Sequence, residues 1–381
     1  MGDSRALEKR KKPIRQSNFE LLRIFAILLI IGHHFTVHGG FGLWGDEVIT
    51  KNIEWLILIQ IGGKIGVDIF ILISGYFLVT STSIKTAKVF KLWLQLIFYS
   101  LVIYFVFCFY FQEQFSRLEF FKNCLPIAFK KWWFASVYFV LFLISPYLNK
   151  LLNALTKQQY LRALILLGAL WVVIPTFLPV DYESSNLAWF IYLYAVAGYI
   201  RLFNPKIKLP SICWLLLAAG VIFISWRLTI SLYLNVKVNY VTAWFYPYYG
   251  NLYDANKMTI FLISLFLFIG FAKMKTFRSR LINLISSATF GVYLIHDSDY
   301  VRGYIWSNVF KNATYIESEE LIKYSISVIF IVFGVCTAIE LIRIFAFEKT
   351  YMPVVESIGA KIDSVIYKTE NSVSKKLGKS E

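Results

Sequence analysis

Apolar residues along this chain gather into long, nearly unbroken runs separated by short polar stretches. Runs near the ~20 residues needed to cross a bilayer fall at about 18 to 37, 53 to 79, 90 to 111, 133 to 152, 160 to 178, 187 to 203, 210 to 234, 258 to 273, 282 to 306 and 321 to 346. They predict an all-α fold, a polytopic membrane helical bundle of about ten transmembrane helices. The polar stretches give it a direction, because cytoplasmic loops are enriched in Lys and Arg. Arg5, Lys9, Arg10, Lys11, Lys12 and Arg15 precede the first run, and Lys85 and Lys88 follow the second, with Lys91 at the edge of the third. Lys150, Lys157 and Arg162, then Arg201, Lys206 and Lys208, then Lys273, Lys275, Arg278 and Arg280 continue the alternation. The tail carries Lys375, Lys376 and Lys379, so both termini are expected on the cytoplasmic side. The opposite loop Pro179 to Asn186 has Asp181 and Glu183 and no basic residue. One loop dissents: Gln112 to Lys131 carries Arg117, Lys122, Lys130 and Lys131.

Composition agrees with the pattern. The 381 residues are 58% hydrophobic and only 16% charged, with a mean hydropathy of +0.60, which does not describe a soluble protein. The net charge of +16 is explained by topology, and nucleic-acid binding is not expected. Cys108, Cys124, Cys213 and Cys336 are scattered, without CxxC spacing or an adjacent His or Asp, so neither a metal site nor a disulfide framework is indicated. The basic start followed by an apolar run resembles a signal peptide, but the run is long and lacks a small-residue cleavage site; it reads as an uncleaved first span. The organisation expected is a basic cytoplasmic segment over 1–17, one membrane domain over 18–346 and a cytoplasmic basic tail over 347–381. In that tail Val354, Val355, Ile358, Ile362, Val365 and Ile366 recur at near-helical spacing, which suits an amphipathic helix on the membrane surface or one packed against the bundle. The aromatic stretch Tyr240 to Tyr253 reads as an interfacial belt or a sugar-stacking surface.

The first run is the one spoiled by ionisable groups. At 100° per residue Arg23 and His34 come within about 20° of each other, roughly 16 Å apart along the axis, and Glu20 and His38 join the same stripe. Ionisable groups at membrane depth face protein or water and mark candidate functional sites.

Several stretches together resemble the acyltransferase type 3 family. Arg23 and His34, with ten residues between them, match its first-helix Arg/His pair; GVDIFILISGYFL from Gly66 to Leu78 is similar to its characteristic second-span segment. WWFASVYFVLFLISPYLN from Trp132 to Asn149 and FGVYLIHD from Phe290 to Asp297 follow in the expected order. The resemblance runs from about 18 to 346 and implies a bacterial enzyme that O-acylates exopolysaccharide, capsule or cell-wall glycans. Where many members carry an Arg-x-x-Arg pair at the start of the third span, this chain has Lys88 and Lys91, which keep the charge and lose the bidentate fork.

Acyl transfer from a thioester to a hydroxyl needs a base for the proton and donors for the oxyanion. His34 is the expected base, since imidazole offers a proton acceptor at neutral pH, with a histidine bonded within the bundle as the structural alternative. His296 is the second candidate catalytic residue, while His33 and His38 are expected to be bystanders. Arg23 either holds donor phosphate or pairs with Glu20. Lys85, Lys88 and Lys91 either contact the phosphates of an acetyl-CoA or other acyl-CoA donor or simply set topology. Asp68 either pairs with Lys64, one turn before it, or serves the acceptor; Ser74, Trp133 and Tyr138 are candidate substrate contacts. The expected function is therefore transfer of an acetyl or similar small acyl group from acyl-CoA to a carbohydrate or glycolipid acceptor. It would take place in the bacterial plasma membrane, with no metal. A transporter or exporter of a glycan or acyl intermediate is the alternative, followed by a glycan polymerase or a non-catalytic assembly subunit.

Overall fold

The structure, a computed structural model, describes residues 15–43, 49–111, 114–178, 185–205, 208–236 and 251–377. Arg5 to Lys12, Asp181, Glu183, Lys206, Lys379 and most of the aromatic stretch, 240–250, lie outside the described residues. Among the described residues all regular secondary structure is helical. The helices are α1 (Ser17–Val37), α2 (Lys51–Gln60), α3 (Gly62–Leu78), α4 (Thr86–Tyr110), α5 (Arg117–Cys124), α6 (Trp133–Ala154), α7 (Lys157–Gly168), α8 (Ile174–Phe177), α9 (Asn186–Phe203) and α10 (Ser211–Val236). They continue as α11 (Met258–Lys273), α12 (Arg280–Ser287), α13 (Thr289–His296), α14 (Asp299–Tyr304), α15 (Leu321–Arg343) and α16 (Lys349–Leu377).

Eight helical segments among the described residues are long and apolar enough to cross a membrane, which makes this a multi-pass membrane protein. The other two expected spans are less regular. Met258–Lys273 is a shorter apolar helix, and the 282–306 region is divided at Ala288 and again at Asp297 and Ser298. The second break leaves His296 at a helix end, and the site uses it.

Burial separates the centre from the periphery. In the α2–α3 segment 72% of the most apolar window is buried, against 17% for Lys157–Phe177, so the former is core and the latter presents its apolar side chains to lipid. The helix α1 packs most heavily on α3, and α3 also packs on α9 and α11. This close approach depends on absent side chains. A Cβ on Gly66 would lie 2.5 Å from the Ala26 carbonyl oxygen, and one on Gly62 2.9 Å from that of Leu29. The spacing Gly62-x-x-x-Gly66 therefore lets two membrane helices touch backbone to backbone. On another face Gly75 meets Tyr194 of α9, with only 2.6 Å available to its carbonyl oxygen.

A second organising contact is ionic. Arg343, 2% exposed, bridges Glu340 and Glu348, and Lys91 of α4 bonds Glu348. Gln95 and Tyr99, further along α4, bond the two oxygens of Glu340. Every buried charge in this cluster has a partner, as removal from water demands. The helix then continues through a π turn, Ile344–Glu348, into α16. The latter folds against α4, where Asp363 accepts from the Thr86 amide at 3.1 Å and its hydroxyl at 2.5 Å. That carboxylate caps the start of α4. The tail thus packs on the bundle while Val354, Ile358, Val365 and Ile366 remain exposed on it.

The dissenting loop carries a local ion-pair cluster. Lys122 and Lys131 both bond Glu119 on α5, whose Ser116 cap receives the Glu119 amide. These two ammonium groups hold the Glu119 carboxyl below its ordinary range, so their support is present at neutral pH and lost as pH falls through that lowered value.

The helix contact at Gly75 is testable. Gly75→Ala should destabilise the protein by about 1–3 kcal/mol through overpacking, read as a lowered unfolding midpoint of the detergent-solubilised protein. Gly220→Ala on α10, where an added Cβ meets nothing within 4 Å, should leave the midpoint unchanged or slightly raised. Equal midpoints for the two variants would contradict the close α3–α9 contact.

Candidate active site

All four histidines of the chain meet at one place. His33 and His34 lie near the end of α1, His38 follows its last residue, and His296 ends α13. The His34 ring centroid is 5.1 Å from that of His296 and 5.3 Å from that of His38. The hydrogen bonds define the protons. His296 Nδ1 is 2.6 Å from the Val292 carbonyl oxygen, which can only accept, so Nδ1 carries the proton. In the neutral ring Nε2 is then an acceptor, and His34 Nδ1, 3.0 Å away, donates to it. His34 Nε2 is thereby left with a lone pair and no hydrogen-bond partner among the described residues. The same logic applied to His33, whose Nδ1 lies 2.6 Å from the Gln60 carbonyl oxygen, also frees its Nε2. What distinguishes the two is the partner, because a carbonyl cannot take a proton and an imidazole can.

Asp297, next along the chain from His296, faces His34 instead: its Oδ1 is 3.6 Å from His34 Nδ1, too long for a hydrogen bond but close enough to stabilise a charged ring. Arg302 holds that carboxylate at 3.1 Å and reaches Asp299 at 2.7 Å. Burial, reinforced by the Arg302 guanidinium, lowers His38 to about 4, so it is neutral at physiological pH. His34, His38 and Asp297 each place a ligand atom within 4.8 Å of the others. Of these atoms His34 Nδ1 is bonded to His296 and the Asp297 carboxylate to Arg302. A divalent cation held by that carboxylate would face the Arg302 guanidinium.

His34 and His33 line a chamber of about 70 Å³ together with Ile30, Gly63, Lys64 and Val67. Trp133 forms part of its wall, with the Lys64 ammonium 5.0 Å above its ring centroid. A vestibule of about 710 Å³ opens beside it. The two share Phe70, Phe134, Thr289 and Phe290 as lining, so the vestibule ends at the chamber wall. Five basic side chains, Arg15, Arg23, Lys91, Arg280 and Arg343, line the vestibule against three acidic ones, Glu20, Glu340 and Glu348. Arg15 and Arg280 have no acidic partner among the described residues.

The expected site residues divide accordingly. His34 and His296 are joined directly, and Trp133 reaches the same chamber. Arg23 does two things at once, pairing with Glu20 at 3.0 Å while lining the vestibule. Ser74 and Tyr138 also line the vestibule, where Ser74 donates to the Phe70 carbonyl at 2.8 Å and contacts the Tyr138 hydroxyl at 3.3 Å. Lys91 borders it too and, with Glu348, also lines an adjoining cleft in which Lys85 and Lys88 stand with Glu356 and Asp363. Asp68 is turned away. Its Oδ1 accepts from the Trp189 indole at 3.0 Å, and no ion pair joins it to Lys64, so the pairing expected from their four-residue spacing is not made. His33, expected as a bystander, lines the chamber.

Other site residues escaped the sequence reading. Arg302, Glu340 and Glu348 come from elements far along the chain, and only their ionisable character within apolar surroundings signals them. Asp297 lay in a recognised segment, but its orientation follows from the break after α13.

Comparison with known proteins gives one match. A family model described as acyltransferase domain covers residues 16–341, most of the chain, and the protein belongs to that family. No curated protein and no solved structure matches the chain.

The hydrogen bond from His34 to His296 generates a prediction for acyl transfer. His296→Ala leaves the His34 Nδ1 proton without its acceptor and should lower kcat by about one to two orders of magnitude, less than the ~10⁴ seen when a charged orienting partner is lost. Donor KM should stay within about threefold. A kcat equal to that of the wild type would show that His296 does not orient His34.

Proposed function

We propose that this acyltransferase moves a small acyl group, such as acetyl, from acyl-CoA to a hydroxyl of a cell-envelope polysaccharide or its lipid-linked precursor in the bacterial plasma membrane. The observation that carries this reading is the free Nε2 of a hydrogen-bonded histidine, His34, on a small chamber adjoining a basic vestibule.

The chemistry follows from the geometry. Phosphates of the donor suit the vestibule, where Arg15, which donates to the Asn283 carbonyl at 3.2 Å, and Arg280 have no acidic partner among the described residues and Arg23, Lys91 and Arg343 add positive field. The thioester end then reaches past Phe70 and Phe290 into the chamber. His34 Nε2 removes the acceptor hydroxyl proton as that oxygen attacks the thioester carbonyl carbon. While the ring is charged, its Nδ1–H faces His296 Nε2 and the Asp297 carboxylate, which stabilise it. Collapse of the tetrahedral intermediate breaks the C–S bond, and the proton on His34 passes to the departing thiolate. The products are an O-acyl ester and free coenzyme A. Among the described residues the partner of His33 Nδ1 is the Gln60 carbonyl, not a carboxylate or imidazole, and this favours His34 as the base.

The acceptor is expected from the side opposite the vestibule, where His38 and Arg302 lie beyond His34. This gives the ionisable stripe of α1 its direction, with Arg23 toward the donor and His34 toward the acceptor.

The reading predicts that His34→Ala, at unchanged protein level, abolishes acylation of envelope glycans measured by mass spectrometry, and that His33→Ala keeps a measurable fraction. Retained acylation in the His34 variant would remove His34 as base. A second prediction concerns the donor: Arg15→Gln with Arg280→Gln should weaken acetyl-CoA binding by about tenfold or more, from the loss of two charge-assisted contacts. Unchanged affinity in detergent would place the phosphates elsewhere.

A further inference from the structure

We propose that Lys64 supplies the positive charge that receives the oxyanion of the tetrahedral intermediate, a role that rests on the acyl-transfer reading of the same chamber. Lys64 is the third residue of α3, and the nearest carboxylate on its own helix face is Asp68, one turn on. The two do not pair. Asp68 Oδ1 is taken by Trp189, its Oδ2 is buried without a partner, and no carboxylate among the described residues lies within ion-pair distance of the Lys64 ammonium. That ammonium sits over the Trp133 ring, 5.0 Å from its centroid, and both residues line the chamber with His34. A charge kept unpaired at this depth is costly. The aromatic face offsets part of the cost and accepts no conventional hydrogen bond, so N–H donors remain for something that enters the chamber.

What enters is constrained by size. A buried cavity of ~150 Å³ holds a benzene ring, six non-hydrogen atoms; about 70 Å³ therefore suits roughly the three of an acetyl group. A carbonyl confined there lies between the base and the ammonium. As the acceptor oxygen bonds to the carbonyl carbon, the electron pair of the C=O bond moves to its oxygen, and the Lys64 N–H groups meet that negative charge. When the C–S bond breaks, the pair returns to restore the carbonyl and the sulfur leaves with its own. Lys64 transfers no proton in this sequence. Its interaction strengthens as the oxyanion develops, which is the condition for raising kcat without tightening ground-state binding.

The rival role is recognition of a permanent anion on the acceptor, such as a lipid-linked phosphate, and kinetics separate the two. The assay is coenzyme A release by the purified full-length protein in detergent, with acetyl-CoA as donor and envelope glycan from cells lacking the protein as acceptor. Lys64→Met is expected to lower kcat by about 10²–10³-fold, the cost of losing one oxyanion donor, with KM for donor and glycan within about threefold. Lys64→Arg should recover at least about tenfold over Met, because it restores charged donors at similar reach. Acetyl-CoA affinity equal to that of the wild type establishes that each variant is folded. Should Lys64→Met fail to accumulate, Lys64→Gln, which also removes the charge, carries the same expectation. A charge-removing variant with wild-type kcat overturns the proposal, and so does a loss confined to KM for the glycan, which would assign Lys64 to an acceptor anion. Absence of glycan-dependent coenzyme A release from the wild type would instead remove the acyl-transfer reading, and this role with it.

Discussion

The hydrogen bond from His34 Nδ1 to His296 Nε2 joins the first membrane helix to α13 and decides what α1 can do chemically. Because His296 spends its own Nδ1 proton on the Val292 carbonyl, it can only accept from His34, which leaves His34 Nε2 as the acceptor. A carboxylate joins this bond because α13 stops at His296. A helix continuing through Asp297 and Ser298 would carry that carboxylate away from His34, whereas the break turns it to within 3.6 Å. Arg302 then secures it from α14. The end of one helix and the break after it thus supply the two partners of the proposed base, His296 and Asp297.

The rest of the fold serves that contact from two sides. Gly62 and Gly66 bring α3 against α1, which sets Lys64 and Val67 across the chamber from Ile30 and His34. On the vestibule side, the Arg343 cluster ties α15 to α4. Its pairing matters for more than stability. With Arg343 and Lys91 already bonded to carboxylates, the vestibule presents moderated positive charge, and Arg15 and Arg280 are its cations without an acidic partner among the described residues. That division suits the proposed polyanionic donor, which would have to bind and then leave as free coenzyme A.

Much of this was legible in the chain. Ten apolar runs and the alternation of basic loops describe a helical membrane bundle because lipid leaves the backbone few alternatives. The stripe of Arg23 and His34 could be read from helical periodicity alone. Other features were not legible, for physical reasons. Whether Asp68 meets Lys64 or Trp189 depends on how α9 packs against α3, and spacing along one helix carries no information about its neighbours. His33 differs from His34 by 100° of helix rotation, yet the chamber is wide enough to reach both. Lys85 and Lys88 share the charge and side expected of donor contacts, but the α16 helix stands beside them with Glu356 and Asp363. Only Lys91 borders the vestibule. The basic loop before α6 stands against the alternation, and the structure adds only that two of its lysines bond Glu119.

The central claim is that donor and base meet in the chamber beneath His34. The measurement that tests it most directly is an electron cryomicroscopy structure of the full-length protein with a non-reactive thioether analogue of acetyl-CoA. The account predicts the phosphates among Arg15, Arg23 and Arg280, the arm passing Phe70 and Phe290, and the acyl carbon near attack distance, ~3–3.5 Å, from a hydroxyl site adjoining His34 Nε2. An analogue seated in the Lys85 and Lys88 cleft, or one whose acyl end lies outside the chamber, would contradict it.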